Sequence, residues 1–256
     1  MYKVLLKRTK KTNVTANLLA EKINNIEGFK AIALKEEELK NDTVKKIIEV
    51  ENYFEVPWGI KREKLDDIKK IRDKMIDVHI KGEERDWQPD DFPRVVRKGA
   101  HQGGNNFKIC FTKQKLEKLY DEGYAYSTKF IEDNREFRVF VFNGKSIKFT
   151  EKKPTEETNP INPIKNYANG YRFFAVENDG TVKKKKIRQL AKDVIEELGF
   201  LFGAVDILVP VDDPDQCYVL EVNTAPSMSH FIDNPDKETT ADRFVRHLTE
   251  YVKANS

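Results

Sequence analysis

The chain has 256 residues, 39% of them apolar and 35% charged, with a formal net charge of +3 at neutral pH. That length builds one large domain or two or three small lobes around a sizeable core, and no run of about 18 apolar residues offers a membrane span. The nearly balanced charge argues against a nucleic-acid partner.

The basic N-terminus, MYKVLLKRTKKTN, has too short an apolar segment for a signal peptide, so the expected compartment is the cytoplasm. It opens with a short strand, YKVLL. A helix follows from about Val14, with Leu18, Leu19, Ile23 and Ile26 on one face and Gly28 at its stop. Leu65, Ile68, Ile71, Met75 and Ile76 predict a second, long helix that ends near Gly82. FPRVV then predicts a strand, KGAHQGGNN a polar glycine-containing loop, and FKICF another strand. Gln114 to Glu122 reads as a helix closed by Gly123, followed by the strand YSTKFI. EFRVFVF and KSIKF flank Asn143-Gly144, a strong hairpin signal. A two-residue turn there puts Arg138 opposite Phe149 and Glu136 opposite Glu151.

Lys152 to Asn169 holds three prolines and several asparagines and reads as an extended lid or binding loop. The run Lys183 to Lys186 reads as a solvated basic face. IRQLAKDVIEELGF predicts an amphipathic helix with Gly199 at its end, and LFGAVDILV and CYVLEVN predict strands. A last amphipathic helix carries Phe244, Val245, Leu248, Tyr251 and Val252. Helices mixed with hairpins make the class α+β. Cys110 and Cys217 have no CxxC-type neighbours, and the four histidines show no ligand spacing, which excludes a structural zinc motif.

The segment YVLEVNTAP carries an acid inside an apolar strand, and an ionised carboxylate leaves water at a cost unless something pairs with it. Glu221 and Asn223 lie on one face of that strand, roughly 7 Å apart. The preceding strand holds a second acid, Asp206. The connector PVDDPDQ is too short for a crossover helix, so the two strands should form an antiparallel hairpin. A turn near Asp213 puts Asp206 opposite Leu220 or within one residue of Glu221, and a bulge decides whether the two acids share a face. The expectation is that they do. Two carboxylates and an amide oxygen there make a hard-oxygen site suited to Mg²⁺; the other reading pairs each acid with a lysine or arginine.

FGAVDIL followed by YVLEVNTAP resembles the C-terminal signature of the ATP-grasp superfamily, nearest the carboxylate–amine ligases such as glutamate ligases, glutathione synthetases and D-alanine–D-alanine ligases. The resemblance covers roughly Asp73 to Met228. It implies that Asp206, Glu221 and Asn223 hold two Mg²⁺ ions on the phosphates of ATP. Asp73-Lys74-Met75 is similar to the family's DK pair, which gives Lys74 a phosphate contact, and Arg97 stands where the family usually has a strand lysine. KGAHQGGNNF resembles the phosphate-covering loop, with Gly103 and Gly104 matching its glycines, although Asn105 and Asn106 depart from the usual pattern. STKFIEDNREFRV looks like the adenine hinge, so Lys129, Phe130 and Ile131 would line the base and Glu136 would reach the ribose. Arg138 matches an arginine near the transferring group.

The implied architecture is an ATP-grasp fold, two α+β subdomains clasping a nucleotide, with a reduced N-terminal domain over residues 1–60. The ATP-grasp domain would span 61–256, with a small subdomain at about 75–130 and a metal-binding subdomain at about 131–256. The implied reaction is ATP-dependent formation of an amide or peptide bond through an acylphosphate. Its substrates would be a small-molecule or peptide carboxylate and an amine, and related ligases are commonly homodimers. A phosphotransferase acting on a hydroxyl and a non-catalytic nucleotide-binding scaffold are the other two readings.

Overall fold

The computed structural model describes residues 1–8, 14–59, 63–99, 107–158, 164–178, 180–228 and 238–256. The first unit alternates β1 (Tyr2–Arg8), α1 (Val14–Asn24), β2 (Phe29–Lys35), α2 (Asp42–Glu51) and β3 (Phe54–Trp58). Its strands are all parallel, in the order β2-β1-β3. Asn41 starts α2 by accepting hydrogen bonds from the backbone N–H groups of Thr43 and Val44, which satisfies two of the helix's free donors.

The second unit contains α3 (Lys64–Lys70), β4 (His79–Ile80), β5 (Arg94–Arg97), β6 (Phe107–Cys110), α4 (Lys113–Asp121) and β7 (Tyr126–Lys129). Its four strands form an antiparallel sheet in the order β4-β7-β5-β6. The third unit contains β8 (Asn134–Phe142), β9 (Lys145–Pro154), β10 (Tyr171–Ala175), α5 (Lys184–Glu197), β11 (Phe202–Pro210), β12 (Tyr218–Asn223) and α6 (Thr240–Ala254). Its five-stranded antiparallel sheet has the order β10-β9-β8-β11-β12.

Strand alternation divides the five-stranded sheet into two chemically different faces. Phe137, Val139, Val141, Val205, Ile207 and Val209 point to α5 and pack on Ile187, Ala191 and Val194. The opposite face is most apolar at one end, where Phe140, Phe142 and Phe202 meet α1, α6 and the parallel sheet in a shared core. At its other end the same face carries Glu136, Arg138 and Asp206. A strand residue there cannot retreat to the α5 side without a register slip that would turn every apolar neighbour outward.

Three expectations need correction. The long helix predicted to Gly82 stops at Lys70: Ile71 leaves helical geometry, a 3-10 turn spans Arg72–Lys74, and Asp77 adopts a φ of 41°. Ile68, Ile71 and Met75 still bury into one core, so the spacing was right about the face and wrong about the element. Lys152 to Pro154 belong to β9, not to a loop, and a 3-10 turn spans Tyr167–Asn169 at the other end of the segment expected to be extended. The hairpin has its Asn143-Gly144 turn, both residues at positive φ, but a bulge beside Phe140 and Val141 shifts the register by one. Arg138 therefore faces Thr150 and Glu136 faces Lys152.

Candidate functional site

Asp206 of β11 lies directly opposite Glu221 of β12, and the register slips between Asp206 and Ile207, the bulge that puts the two acids on one face. Asp206 is also opposite Arg138 of β8. Three neighbouring strands thus present Arg138, Asp206 and Glu221 in a row.

Each acid in the row has a basic partner. Arg138 donates from Nε and Nη2 to the two oxygens of Asp206, at 2.6 and 2.7 Å. Lys64, at the start of α3, donates to Glu221 Oε2 at 3.2 Å, and Asn223 Nδ2 donates to Glu221 Oε1 at 2.9 Å. Lys152 donates to Glu136 Oε2 at 2.8 Å. The Phe173 ring lies beside the Arg138 guanidinium, 4.5 Å from Cζ to the ring centroid, and closes this face from the β10 side.

Burial raises the Glu221 carboxyl, but Lys64, then the Asn223 amide, Arg97 and Arg138 outweigh it and hold the group well below the usual carboxylate range. Burial alone would lower Arg138; the facing Asp206, reinforced by Glu221 and Glu136, keeps it above the ordinary arginine value. Lys152 follows the same logic, with Glu136 overcoming its burial. Arg138 and Glu221 are therefore both ionised at neutral pH.

Arg97, at the end of β5, reaches across to Leu220 O on β12 at 3.5 Å, so it joins the four-stranded sheet to this cluster. Lys129, Phe130 and Ile131 run from the end of β7 toward β8 and so connect the same two sheets. Phe130 is half-buried, not core, and its N–H donates to Pro93 O at 2.9 Å. Lys129 donates to Asp90 O. Gly103 and Gly104 lie outside the described residues.

Lys74 is not brought to the cluster. Its Nζ pairs with Glu197 at 2.5 Å and with Asp73 at 3.1 Å, and Glu197 belongs to α5, on the opposite face of the sheet. Lys64 and Lys152 occupy the cluster and were both missed. Alternation along β9 could have found Lys152 had the bulge been foreseen, and REKL, ten residues before RDKM, offers a second acid-lysine pair that the sequence reading passed over. Lys64→Met is expected to weaken Mg·ATP binding about tenfold, whereas Lys74→Met should leave it within about twofold. Titration calorimetry separates the two, and equal losses would return Lys74 to the site.

The donor set fits Mg²⁺. Asp206 and Glu221 are hard anionic oxygens on adjacent strands, and Arg138 occupies one lone pair on each Asp206 oxygen, leaving another free. Asn223 uses its amide N–H on Glu221, which leaves its Oδ1 available on the same face. Among the described residues no group of three or more His, Cys, Asp or Glu residues forms a metal cluster, so any ion here takes ligands from the amide and from bound phosphate as well.

Residues 62–228 match the family described as the ATP-grasp domain. The chain belongs to the ATP-grasp family. It is 28% identical over 171 residues to a carbamoyl-phosphate synthase from Methanobrevibacter smithii, a match covering 63% of this chain and 42% of that protein. The chain thus spans well under half the length of this curated relative. Among solved structures, the D-alanine–D-alanine ligase of Bacillus anthracis superposes with a TM-score of 0.63 at 15% identity, covering 100% of this chain and 99% of that one. The ATP-grasp ligase PsnB, complexed with a minimal precursor, superposes with a TM-score of 0.65 at 9% identity over the whole of both chains. These likenesses establish an α+β ATP-grasp fold over the full length. Related structures of the two ligases hold ATP in one case and Mg with ADP in the other. Among the described residues, no helix is long and apolar enough to cross a membrane.

Proposed function

We propose that this ATP-grasp protein is an ATP-dependent carboxylate–amine ligase. The observation that carries the reading is the Arg138–Asp206–Glu221 row, flanked by Lys64, Arg97 and Lys152: a paired-acid site surrounded by cations, built to hold a polyphosphate and its counter-ions. Residues 1–60 would form a reduced N-terminal domain and 61–256 the ATP-grasp domain, with the hinge at Lys129, Phe130 and Ile131 taking the adenine and Glu136 the ribose. Gly103 and Gly104 would belong to the loop over the phosphates.

Mg·ATP supplies the γ-phosphoryl group and most of the charge neutralisation that phosphoryl transfer needs. Asp206, Glu221 and Asn223 would hold the two ions. Lys64 and Arg97 would bind phosphate oxygens, and Arg138, with its planar fork, would orient the group in transfer. A substrate carboxylate oxygen attacks the γ-phosphorus, the bond to the bridging oxygen breaks and ADP leaves. The amine then attacks the acyl carbon, inorganic phosphate leaves, and the amine loses its proton. Phe173 shields the Arg138 side of the cleft from water, which protects an acylphosphate.

Hydroxylamine intercepts an acylphosphate as a hydroxamate. Incubation with Mg·ATP, hydroxylamine and a panel of amino acids and peptides should yield hydroxamate and ADP in equal amounts. ADP formation with a phosphorylated alcohol and no hydroxamate would instead establish a phosphotransferase.

A further inference from the structure

The parallel sheet reverses direction beside the candidate site. The chain passes from β1 outward to β2, then returns past β1 to β3, with α1 and α2 on opposite faces. In open α/β sheets such a reversal leaves a crevice outside the carboxyl ends of the two strands that flank it, and ligands bind there. Here those ends are Arg8 and Trp58, paired in register. Gly59, the next residue, donates its N–H to Thr224 O at 3.1 Å, which places the crevice against the residue following Asn223.

Both side chains bring an unused donor. Val4 and Leu6 point into the core that contains Trp58, so Arg8 continues the same face. Trp58 is 0% exposed, fixed by stacking on Phe202 and an edge contact with Phe244, yet its indole Nε1–H has no acceptor. Arg8 Nε is likewise buried without an acceptor, and no ion pair of Arg8 occurs among the described residues. Buried N–H groups are nearly always hydrogen-bonded. Two orphans on adjacent strands at a topological switch point, one of them on a cation, point to an absent acceptor that is anionic.

We propose that Arg8 and Trp58 form a carboxylate-binding site that anchors the substrate by a carboxylate other than the one activated. This deepens the ligase reading and rests on it: the substrate class becomes an amino acid or a dicarboxylate, held at one end by the parallel sheet while its other end reacts beside Asn223. The Arg8 guanidinium makes the charged pair, and the rigid indole supplies a second, directional hydrogen bond.

The chain has two tryptophans, Trp58 and Trp87, so ¹H–¹⁵N spectra of the whole protein contain two indole signals, assigned with Trp58→Phe. Without nucleotide, titration with L-glutamate and with succinate should move the Trp58 indole signal downfield and saturate, while Trp87 stays. Arg8→Gln should weaken that response about 10- to 100-fold, with Arg8→Lys in between. No movement with either carboxylate, or an unchanged titration in a folded Arg8→Gln, overturns the site. Inorganic phosphate binding there more tightly than both carboxylates overturns the carboxylate assignment in favour of phosphate. The two proposals fail separately: a responsive Trp58 without hydroxamate formation removes the ligase reading alone, and hydroxamate formation with a silent Trp58 removes the anchor alone.

Discussion

Replacing Glu221 with glutamine is expected to abolish Mg²⁺-dependent nucleotide turnover while the protein stays folded. Gln is isosteric and keeps an acceptor for Lys64, so the change removes charge more than shape. The four groups that hold Glu221 ionised, Lys64, Asn223, Arg97 and Arg138, come from four different elements, and that convergence is what a structural surface pair would not need. Changing an outer-shell partner of a metal typically costs about 10- to 100-fold, so loss of a carboxylate ligand should cost at least about 100-fold in turnover. Some stability should be lost at neutral pH, because Lys64, Asn223, Arg97 and Arg138 hold the ionised carboxylate well below its ordinary range in the folded protein. The effect has a defined sign. Glu221 titrates below its reference value of 4.5 in the folded protein, so its stabilisation is present above that pH and fades as the pH falls below it. Wild type and variant should therefore converge in acid. Turnover near the wild-type rate in Glu221→Gln would remove the metal assignment outright.

How much of this was legible in the sequence depended on whether local pattern or long-range register decided each feature. The hairpin turn at Asn143-Gly144, the helices α4, α5 and α6, and the two acidic strands carry their own signals, in turn chemistry and apolar spacing, and they form where expected. The facing of Asp206 and Glu221 was an expectation about a bulge, and the bulge is there. The second bulge, beside Phe140, gave no local sign, so Lys152 was placed in a loop and not opposite Glu136. β2 and β3 were missed because each pairs only with β1, in parallel, across an intervening helix. Nothing within FKAIALK or FEVPW marks that pairing. Lys64 and Lys74 show the limit most clearly. Both follow an acid, but α3 ends at Lys70, and the turn after it sends Lys74 to Glu197 while Lys64 remains at the cluster.

Arg138→Met is expected to have the largest effect on stability and to reveal what Asp206 is for. Methionine keeps an apolar stem against Phe173 but deletes both hydrogen bonds to Asp206, which is 4% exposed. Removing one partner of a buried pair leaves an uncompensated charge and typically costs about 3–5 kcal/mol. If Asp206 also serves a metal, that loss should shrink when Mg·ATP is added, because an ion bound only to the folded state offsets the missing guanidinium. Chemical denaturation with and without Mg·ATP measures this directly, and the nucleotide should stabilise Arg138→Met more than wild type. Arg138→Lys, which keeps a charge but loses the fork, should recover most of the stability and little of the turnover. Two results would break the argument. A variant destabilised by less than about 1 kcal/mol would mean that Asp206 pairs elsewhere, and Lys152, which already feels the Asp206 charge, is a cation able to do so. A variant that Mg·ATP stabilises no more than wild type would mean that the Arg138–Asp206 pair is structural, and the ions would then rest on Glu221 and Asn223 alone.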